Sequence, residues 1–262
     1  MADERLEGSH SMKKLIVIST TVVIIVLAIV WIEQANRLGH NEQNVVTIGV
    51  VLPLTGRAAD QGKDILSGVE LAQEEINSER TADQPRLELA VEDDMGDPKS
   101  GVAALEKLIL TKHPPAVIGP IASSVMLAMI PIAEREKVVL LSPAASSPKI
   151  SNSGKYIFRL SLLAIPQAET LAEYAHSKIN AVRGAILYGN DETGVSYRDA
   201  FRDAFKAKGG DIVYEQTFDR SDTDFRIQLT KLKDANAQVC FVPSIPQTIG
   251  LILKQAKELG VD

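Results

Sequence analysis

The chain has 262 residues, enough for two domains of ordinary size. Its net charge of −6 gives no basic footprint for nucleic acid. A single cysteine, Cys240, excludes an intramolecular disulfide framework or a cysteine-rich zinc site within these residues, and its apolar run Gln238-Val239-Cys240-Phe241-Val242 predicts a buried structural thiol.

Residues 1–11 read as a vector-derived leader or an upstream start, with Met12 as the natural beginning. Lys13 and Lys14 precede residues 15–32, an 18-residue stretch without charge. That length suits either an uncleaved signal anchor or a cleaved signal peptide over 12–32. Under both readings the lysine pair sends the remainder out of the cytoplasm, to the periplasm or cell surface, with inner-membrane anchoring through 15–32 left open. No cysteine follows the run, which excludes a lipid anchor, and residues 33–44 are polar and aperiodic, as a tether would be.

From residue 45, strand-like and helix-like segments alternate. Residues 45–52 form a β-branched run fit for a strand buried on both faces. Pro53-Leu54-Thr55-Gly56 breaks it, and 64–77 carries Ile65, Val69, Leu71, Ala72 and Ile76 at helical spacing. Strands are expected next at 87–91, 116–118 and 138–141, with helices at 98–110, opened by Pro98, and at 124–135. A crossing strand at 156–160 precedes a second series: helix 167–179, strand 184–188, helix 194–208, strand 211–217, helix 224–234, strand 238–242 and helix 246–259. Such repeated βα units imply an α/β fold of parallel sheets with helices on both faces. The order divides into a lobe over 45–160 and a second lobe over 161–262. The second is expected to be incomplete, because Gly260 stops a helix and Val261 would open another strand.

Signatures of chemistry are weak. Residues 189–196 nearly match a phosphate loop, but Val195 stands in place of the required lysine, and Asp191 and Glu192 would repel phosphate. The structural reading is a strand-to-helix turn in which Asp191 or Thr193 faces a cleft. His10, His40, His113 and His176 share no metal spacing, and neither a G-x-S-x-G elbow nor a G-x-G-x-x-G fingerprint occurs. Asp93, Asp94 and Asp97 follow a strand and precede Pro98, where turn formation and capping account for them. No catalytic residue, metal ligand or cofactor is expected.

Two serine-rich loops stand out instead, Gly119-Pro120-Ile121-Ala122-Ser123-Ser124 and Ser142-Pro143-Ala144-Ala145-Ser146-Ser147. Each follows a short apolar strand. Small side chains there leave hydroxyls and backbone N–H groups open at the carboxyl ends of parallel strands, where open α/β sheets bind ligands. At a helix start the same groups hold a carboxylate. Such loops offer hydrogen bonds and no general base, which points to capture and not to chemistry.

These loops belong to a longer pattern. Residues 47–56, then Gly62 and Ser67-Gly68-Val69-Glu70-Leu71-Ala72, resemble the opening of branched-chain-amino-acid-type periplasmic binding proteins. Glu92-Asp93-Asp94 with Asp97-Pro98, Ile118-Gly119-Pro120 with Ser123-Ser124, and Ser142-Pro143-Ala144-Ala145-Ser146 are similar to the family's next landmarks in order and spacing. The resemblance implies two doubly wound parallel-sheet lobes of the type I periplasmic-binding kind, joined by hinge strands and closing over a small ligand. It implies that Ser123, with Ser124 beside it, and Ser146 offer hydroxyls. The backbones of Ala144 and Ala145 would help hold the α-carboxylate and α-amino groups of an amino-acid-like ligand. Leucine-binding members commonly carry an aromatic residue where this chain has Gln61, another near Thr193, and a tyrosine in the region of Ser244 and Ile245. The acidic partner for a ligand ammonium would lie beyond residue 262. A small polar acid or amide is therefore as compatible with the pattern as leucine.

The expected function is an extracytoplasmic solute-binding protein without catalysis, handing a small amino-acid-like molecule to the membrane subunits of an ABC-type importer. The alternative is a membrane-anchored sensor ectodomain acting on a signalling partner, and a remote one is an enzyme on the same scaffold. A cytoplasmic repressor is disfavoured, because the apolar N-terminal segment occupies the place of a DNA-binding module.

Overall fold

The computed structural model describes residues 29–31 and 44–261. The expected leader, most of the 15–32 apolar run and the tether lie outside the described residues. Among the described residues no helix is long and apolar enough to cross a membrane. Two compact units are present: a large one of Thr47–Glu79 and Leu87–Asp262, and a small one whose described residues are 29–31, 44–46 and 80–86. In the small unit Asn44 Nδ2 donates to the Asp83 carbonyl at 3.1 Å, and Thr81 N–H donates to Gln84 Oε1 at 3.0 Å.

The chain runs β1 (Val45–Leu52), α1 (Ala59–Glu79), β2 (Arg86–Asp93), α2 (Pro98–Lys112), β3 (Ala116–Ile118), α3 (Ser123–Glu136), β4 (Val139–Ser142), a 3-10 turn (Pro148–Ile150) and β5 (Ile157–Arg159). It continues with α4 (Ala164–Ser177), β6 (Arg183–Gly189), α5 (Glu192–Ala207), β7 (Asp211–Phe218), α6 (Arg226–Asp234), β8 (Val239–Phe241) and α7 (Pro246–Leu259). Five strands form one sheet in the order β2-β1-β3-β4-β5, and three form another in the order β7-β6-β8. The pairs β1–β3, β3–β4, β4–β5, β6–β7 and β6–β8 are parallel. The fold is α/β with parallel sheets.

Each sheet has a central strand covered on both faces. In β1, Val51 packs with Leu105, Val117, Met126 and Leu140, while Val50 and Leu52 pack with Ile121 in a separate cluster. In β6, Ile186 joins Phe201 and Phe205, while Ala185 and Leu187 join Phe225 and Leu229. Burial on both faces is why these strands read as near-continuous apolar runs. Each fully buried large side chain here contributes about 1.5–3 kcal/mol.

Helix α1 begins at Ala59, before the apolar periodicity that marked it from 64. Its first turn carries the polar Asp60 and Gln61, and Gly62 lets it sit hard against the end of β1. A Cβ on Gly62 would lie 2.1 Å from the Pro53 carbonyl oxygen. Asp97 caps α2, accepting the Ser100 N–H at 2.9 Å, with Pro98 at the first helical position. Cys240 departs from expectation: it is exposed, on β8, which is an outer strand of its three-stranded sheet.

Candidate functional site

Strand order reverses between β1 and β3 in the first sheet and between β6 and β8 in the second. At such a reversal the connecting helices leave to opposite faces, and a crevice opens at the carboxyl ends of the two strands. Both crevices open into one cleft of about 850 Å³. The five-stranded half contributes Pro53 after β1, Gly96 after β2, Ala122 after β3, and Ala144 and Ser146 after β4. The three-stranded half contributes Asp191 after β6, Arg220 after β7 and Ser244 after β8. The two halves touch across this cleft. Ser147 Oγ donates to Glu192 Oε1 at 2.8 Å, Lys149 Nζ pairs with Glu192 Oε2 at 2.8 Å, and Gln247 Nε2 donates to Asp60 Oδ2 at 3.1 Å.

Of the residues singled out from the sequence, Gln61, Ala144, Ser146, Thr193 and Ser244 line the cleft, whereas Ser123, Ser124 and Ala145 do not. Ser123 is fully buried at the start of α3, and its Oγ accepts the N–H groups of Ser146 and Ser147, both at 3.2 Å. The expectation that its hydroxyl faces a ligand gives way to a different role: it pins the second serine loop to the first. Ala145 N–H donates to Ser142 Oγ at 2.9 Å and its carbonyl accepts from Ser161 Oγ at 2.7 Å, so its backbone is committed behind the wall. Ser124 is half-buried on α3. Ser146 has its backbone tied at both ends, N–H to Ser123 and carbonyl to Ala164 N–H at 3.0 Å, while its Oγ has no partner among the described residues. A fixed backbone with a free hydroxyl is a donor held ready at low entropic cost.

The charged residues lining the cleft, among those described, are Arg57, Asp191 and Arg220. Asp191 Oδ1 accepts the Gly194 N–H at 3.0 Å as the cap of α5, and Oδ2 accepts Arg220 Nε at 2.7 Å. Burial pushes the Asp191 pKa up, but the Arg220 bond and charge, with the Gly194 and Thr193 amides, outweigh it and hold the carboxyl below its usual range. Arg57 Nη2 donates to the Ser221 carbonyl at 3.0 Å across the cleft. The N-terminal turns of α1, α3, α5 and α7 all contribute lining residues, and neither α3 nor α7 is capped by a side chain. Their unpartnered amides and partial positive charge favour an anion.

The acidic landmark behind the cleft serves turns. Asp93 accepts from Leu54 N–H and Met95 N–H, each at 2.8 Å, and Asp94 Oδ1 accepts from Gly96 N–H at 2.7 Å. Asp94 Oδ2 is buried without a partner, and burial, with the neighbouring Asp93 charge, pushes this carboxyl up to about 6.

Aromatic side chains make up much of one wall of the lining. Phe241 stacks on Phe201 with ring centroids 4.4 Å apart, Tyr197 lies tilted beside it at 6.4 Å, and Phe218 meets Phe225 edge-on at 5.3 Å. Sequence reasoning missed Arg57, Arg220, Tyr197, Phe218 and Phe241. The signal for Arg220 was present: it follows β7 directly, and the rule that ligands meet strand carboxyl ends applies to β7 as it does to β3 and β4.

Residues 45–262 match the family described as Periplasmic binding protein. The Leu/Ile/Val-binding protein homolog 3 of Brucella melitensis is 29% identical over 217 residues, which cover 82% of this chain and 59% of that protein. The crystal structure of the substrate-binding protein LivJ from Streptococcus pneumoniae in complex with isoleucine aligns with a TM-score of 0.77 at 27% identity, over 83% of this chain and 62% of that one. A solute-binding protein of an ABC transporter from Rhodopseudomonas palustris in complex with 3,4-dihydroxybenzoic acid aligns equally well, with a TM-score of 0.77 at 26% identity, over 84% of this chain and 60% of that one. The chain thus spans about three fifths of the length of such relatives. The match over residues 45–262, with the shared parallel-sheet architecture, places the chain in the periplasmic binding protein family, in its branched-chain-amino-acid type.

Proposed function

We propose that the chain acts in an extracytoplasmic solute-binding protein that captures a small amino-acid-like, carboxylate or amide solute and delivers it to the membrane subunits of an ABC-type importer. The observation that carries this reading is the single cleft fed by both strand-order reversals and ringed by four helix N-terminal turns. A carboxylate is the group such a ring suits, and isoleucine and 3,4-dihydroxybenzoic acid, the ligands of the two structural relatives, both carry one. Ser146 Oγ, beside Ala144, forms the receiving wall, with Gln61, Thr193 and Ser244 around the remainder of the ligand.

Capture needs no bond making. Solute binding favours the form in which the two halves meet, because only that form contacts it from both sides. The chain passes from β5 to α4 through residues 160–163. There Ser161 Oγ holds Ala145 O at 2.7 Å and Gln167 Nε2 holds the Leu162 carbonyl at 3.1 Å, which gives the crossing a fixed pivot. A ligand at a hundredfold excess over its Kd stabilises the fold by about 2.7 kcal/mol. A thermal-shift panel of amino acids, their amides and small organic acids tests the reading: at least one member raises the Tm. No shift across the panel at millimolar concentration overturns it.

A further inference from the structure

The loop that follows β4 is tied along its length to the segment by which the chain leaves the five-stranded half. Regular pairing of β4 with β5 ends at Ser142 and Arg159. Beyond that point hydrogen bonds of other kinds take over. The carbonyls of Ser142, Ala145 and Ser146 accept from Leu160 N–H at 3.0 Å, Ser161 Oγ at 2.7 Å and Ala164 N–H at 3.0 Å. Arg159 Nη1 donates to the Ser147 carbonyl at 2.6 Å, and its Nη2 donates to Ser151 Oγ. Residues 159–164 thus grip residues 142–147 from end to end.

Two adjacent hydroxyls on the gripped loop serve different ends. Ser146 lines the cleft with an Oγ that has no partner among the described residues. Ser147 is fully buried, and its Oγ donates to Glu192 Oε1 of the three-stranded half at 2.8 Å. The placing of these two hydroxyls is set by the peptide groups of residues 145–147, whose carbonyls are the ones that Ser161, Ala164 and Arg159 hold. A mobile loop of small residues would lose about 1–2 kcal/mol per residue on being ordered by a solute. A loop already fixed avoids that cost and presents both hydroxyls at once. The holding residues belong to the crossing itself, so the loop moves with the pivot between the halves.

We propose that Arg159 and Ser161 are positioning residues, which hold the 144–147 loop so that Ser146 meets the solute while Ser147 meets Glu192. Solute capture and closure are thereby joined in one loop. This rests on the solute-binding reading given above, and it adds two residues outside the cleft lining to those that set affinity. Ser161 acts through the Ala145 carbonyl beside Ser146, and Arg159 acts through the Ser147 carbonyl.

Isothermal titration with isoleucine, 4-methylpentanoate and benzoate tests the proposal, the tightest binder of the three serving as the probe. Ser161→Ala should weaken the probe about fivefold, the worth of one hydrogen bond between neutral groups. The double variant Ser146→Ala, Ser161→Ala should bind within about twofold of Ser146→Ala alone, because the hydroxyl that Ser161 positions is then already gone. Arg159→Met should also weaken the probe about fivefold, and that loss should shrink below about twofold when combined with Glu192→Ala, which removes the partner of Ser147. Arg159→Lys keeps one donor within reach of the Ser147 carbonyl and should recover part of the loss, which keeps the arm readable if Arg159→Met does not fold. A merely structural role would lower the urea midpoint and leave the losses additive. Additive losses in both cycles, or parental affinity in Ser161→Ala and Arg159→Lys alike, overturn the proposal and leave solute capture standing. Absence of binding by all three probes overturns both.

Discussion

At the scale of single residues, the two serine loops separate into a structural half and a facing half. Ser123 and Ser146 look alike in sequence, each a small hydroxyl residue following a short apolar strand. What distinguishes them is burial behind the first turn of α3, and no local pattern encodes that. Ser123→Ala removes the acceptor of two buried amides, those of Ser146 and Ser147. The expected cost is about 1–3 kcal/mol, read as a lower urea midpoint with an unchanged slope. Ser146→Ala removes a hydroxyl that has no partner among the described residues and should leave the midpoint within about 0.5 kcal/mol. It should weaken the tightest-binding carboxylate of the probe panel by about tenfold to a hundredfold, corresponding to one hydrogen bond to a charged group. Equal destabilisation by the two variants would refute the division of roles.

Asp94 adds a pH dependence at the same scale. Its folded pKa of about 6 lies above the ordinary value of 3.8, so the native state binds the proton more tightly than the unfolded chain does. Its contribution to stability is therefore fully present below about pH 4 and is lost as pH rises through about 6, amounting to about 3 kcal/mol. Asp94→Asn retains an acceptor for the Gly96 N–H and removes the charge. Denaturation at pH 4.5 and 7.5 should show the variant losing less stability between the two than the parent. A parent and variant with the same pH slope would show that Asp94 is not the group responsible.

At the scale of elements, much was legible because burial on both faces leaves a plain record. The runs 45–52 and 116–118 and the proline-opened helix at 246–259 are strands and a helix over the same residues. Apolar periodicity reports packing, so it locates the buried stretch of a helix and misses polar first turns. That is why α1, with Asp60 and Gln61 in its first turn, starts at Ala59, ahead of the periodic residues. Residues that act through backbone geometry are also silent in such a reading. Gly119 has φ +111°, and a Cβ there would lie 1.8 Å from the Val51 carbonyl oxygen. Its replacement must part β1 from the β3 loop at the very point where the cleft opens. Gly119→Ala is expected to cost at least about 3 kcal/mol, through strain and lost packing together. A urea midpoint within about 0.5 kcal/mol of the parent's would refute the close approach.

At the scale of the whole molecule, the cleft is assembled from pieces of sequence too far apart to be read together. The βα alternation gave its floor, because carboxyl ends of parallel strands converge wherever the strand order reverses. The contacts that draw the two halves onto each other were not legible, since Ser147 and Lys149 meet Glu192 only after both sheets have formed. Glu192 is 14% exposed at its side chain and accepts from Ser147, Lys149 and Ser196. Lys149 is 67% exposed, so the ion pair alone is weak, and the interaction depends on the hydroxyls that share the carboxylate. Together these contacts favour the closed form by about 1 kcal/mol, which is about a fivefold change in the closing equilibrium. Glu192→Ala removes them without touching the cleft lining. Ligand-free scattering should then give a larger radius of gyration, and saturating carboxylate probe should return it to the parent value. Apparent affinity should fall by about fivefold, because a ligand that binds the closed form must first populate it. Raising the salt concentration should move the parent part of the way toward the variant, by screening Lys149 but not the hydroxyl contacts. A variant with parental affinity and an unchanged ligand-free radius would mean that closure is governed elsewhere, by Arg57 on Ser221 and Gln247 on Asp60 at the other side of the opening.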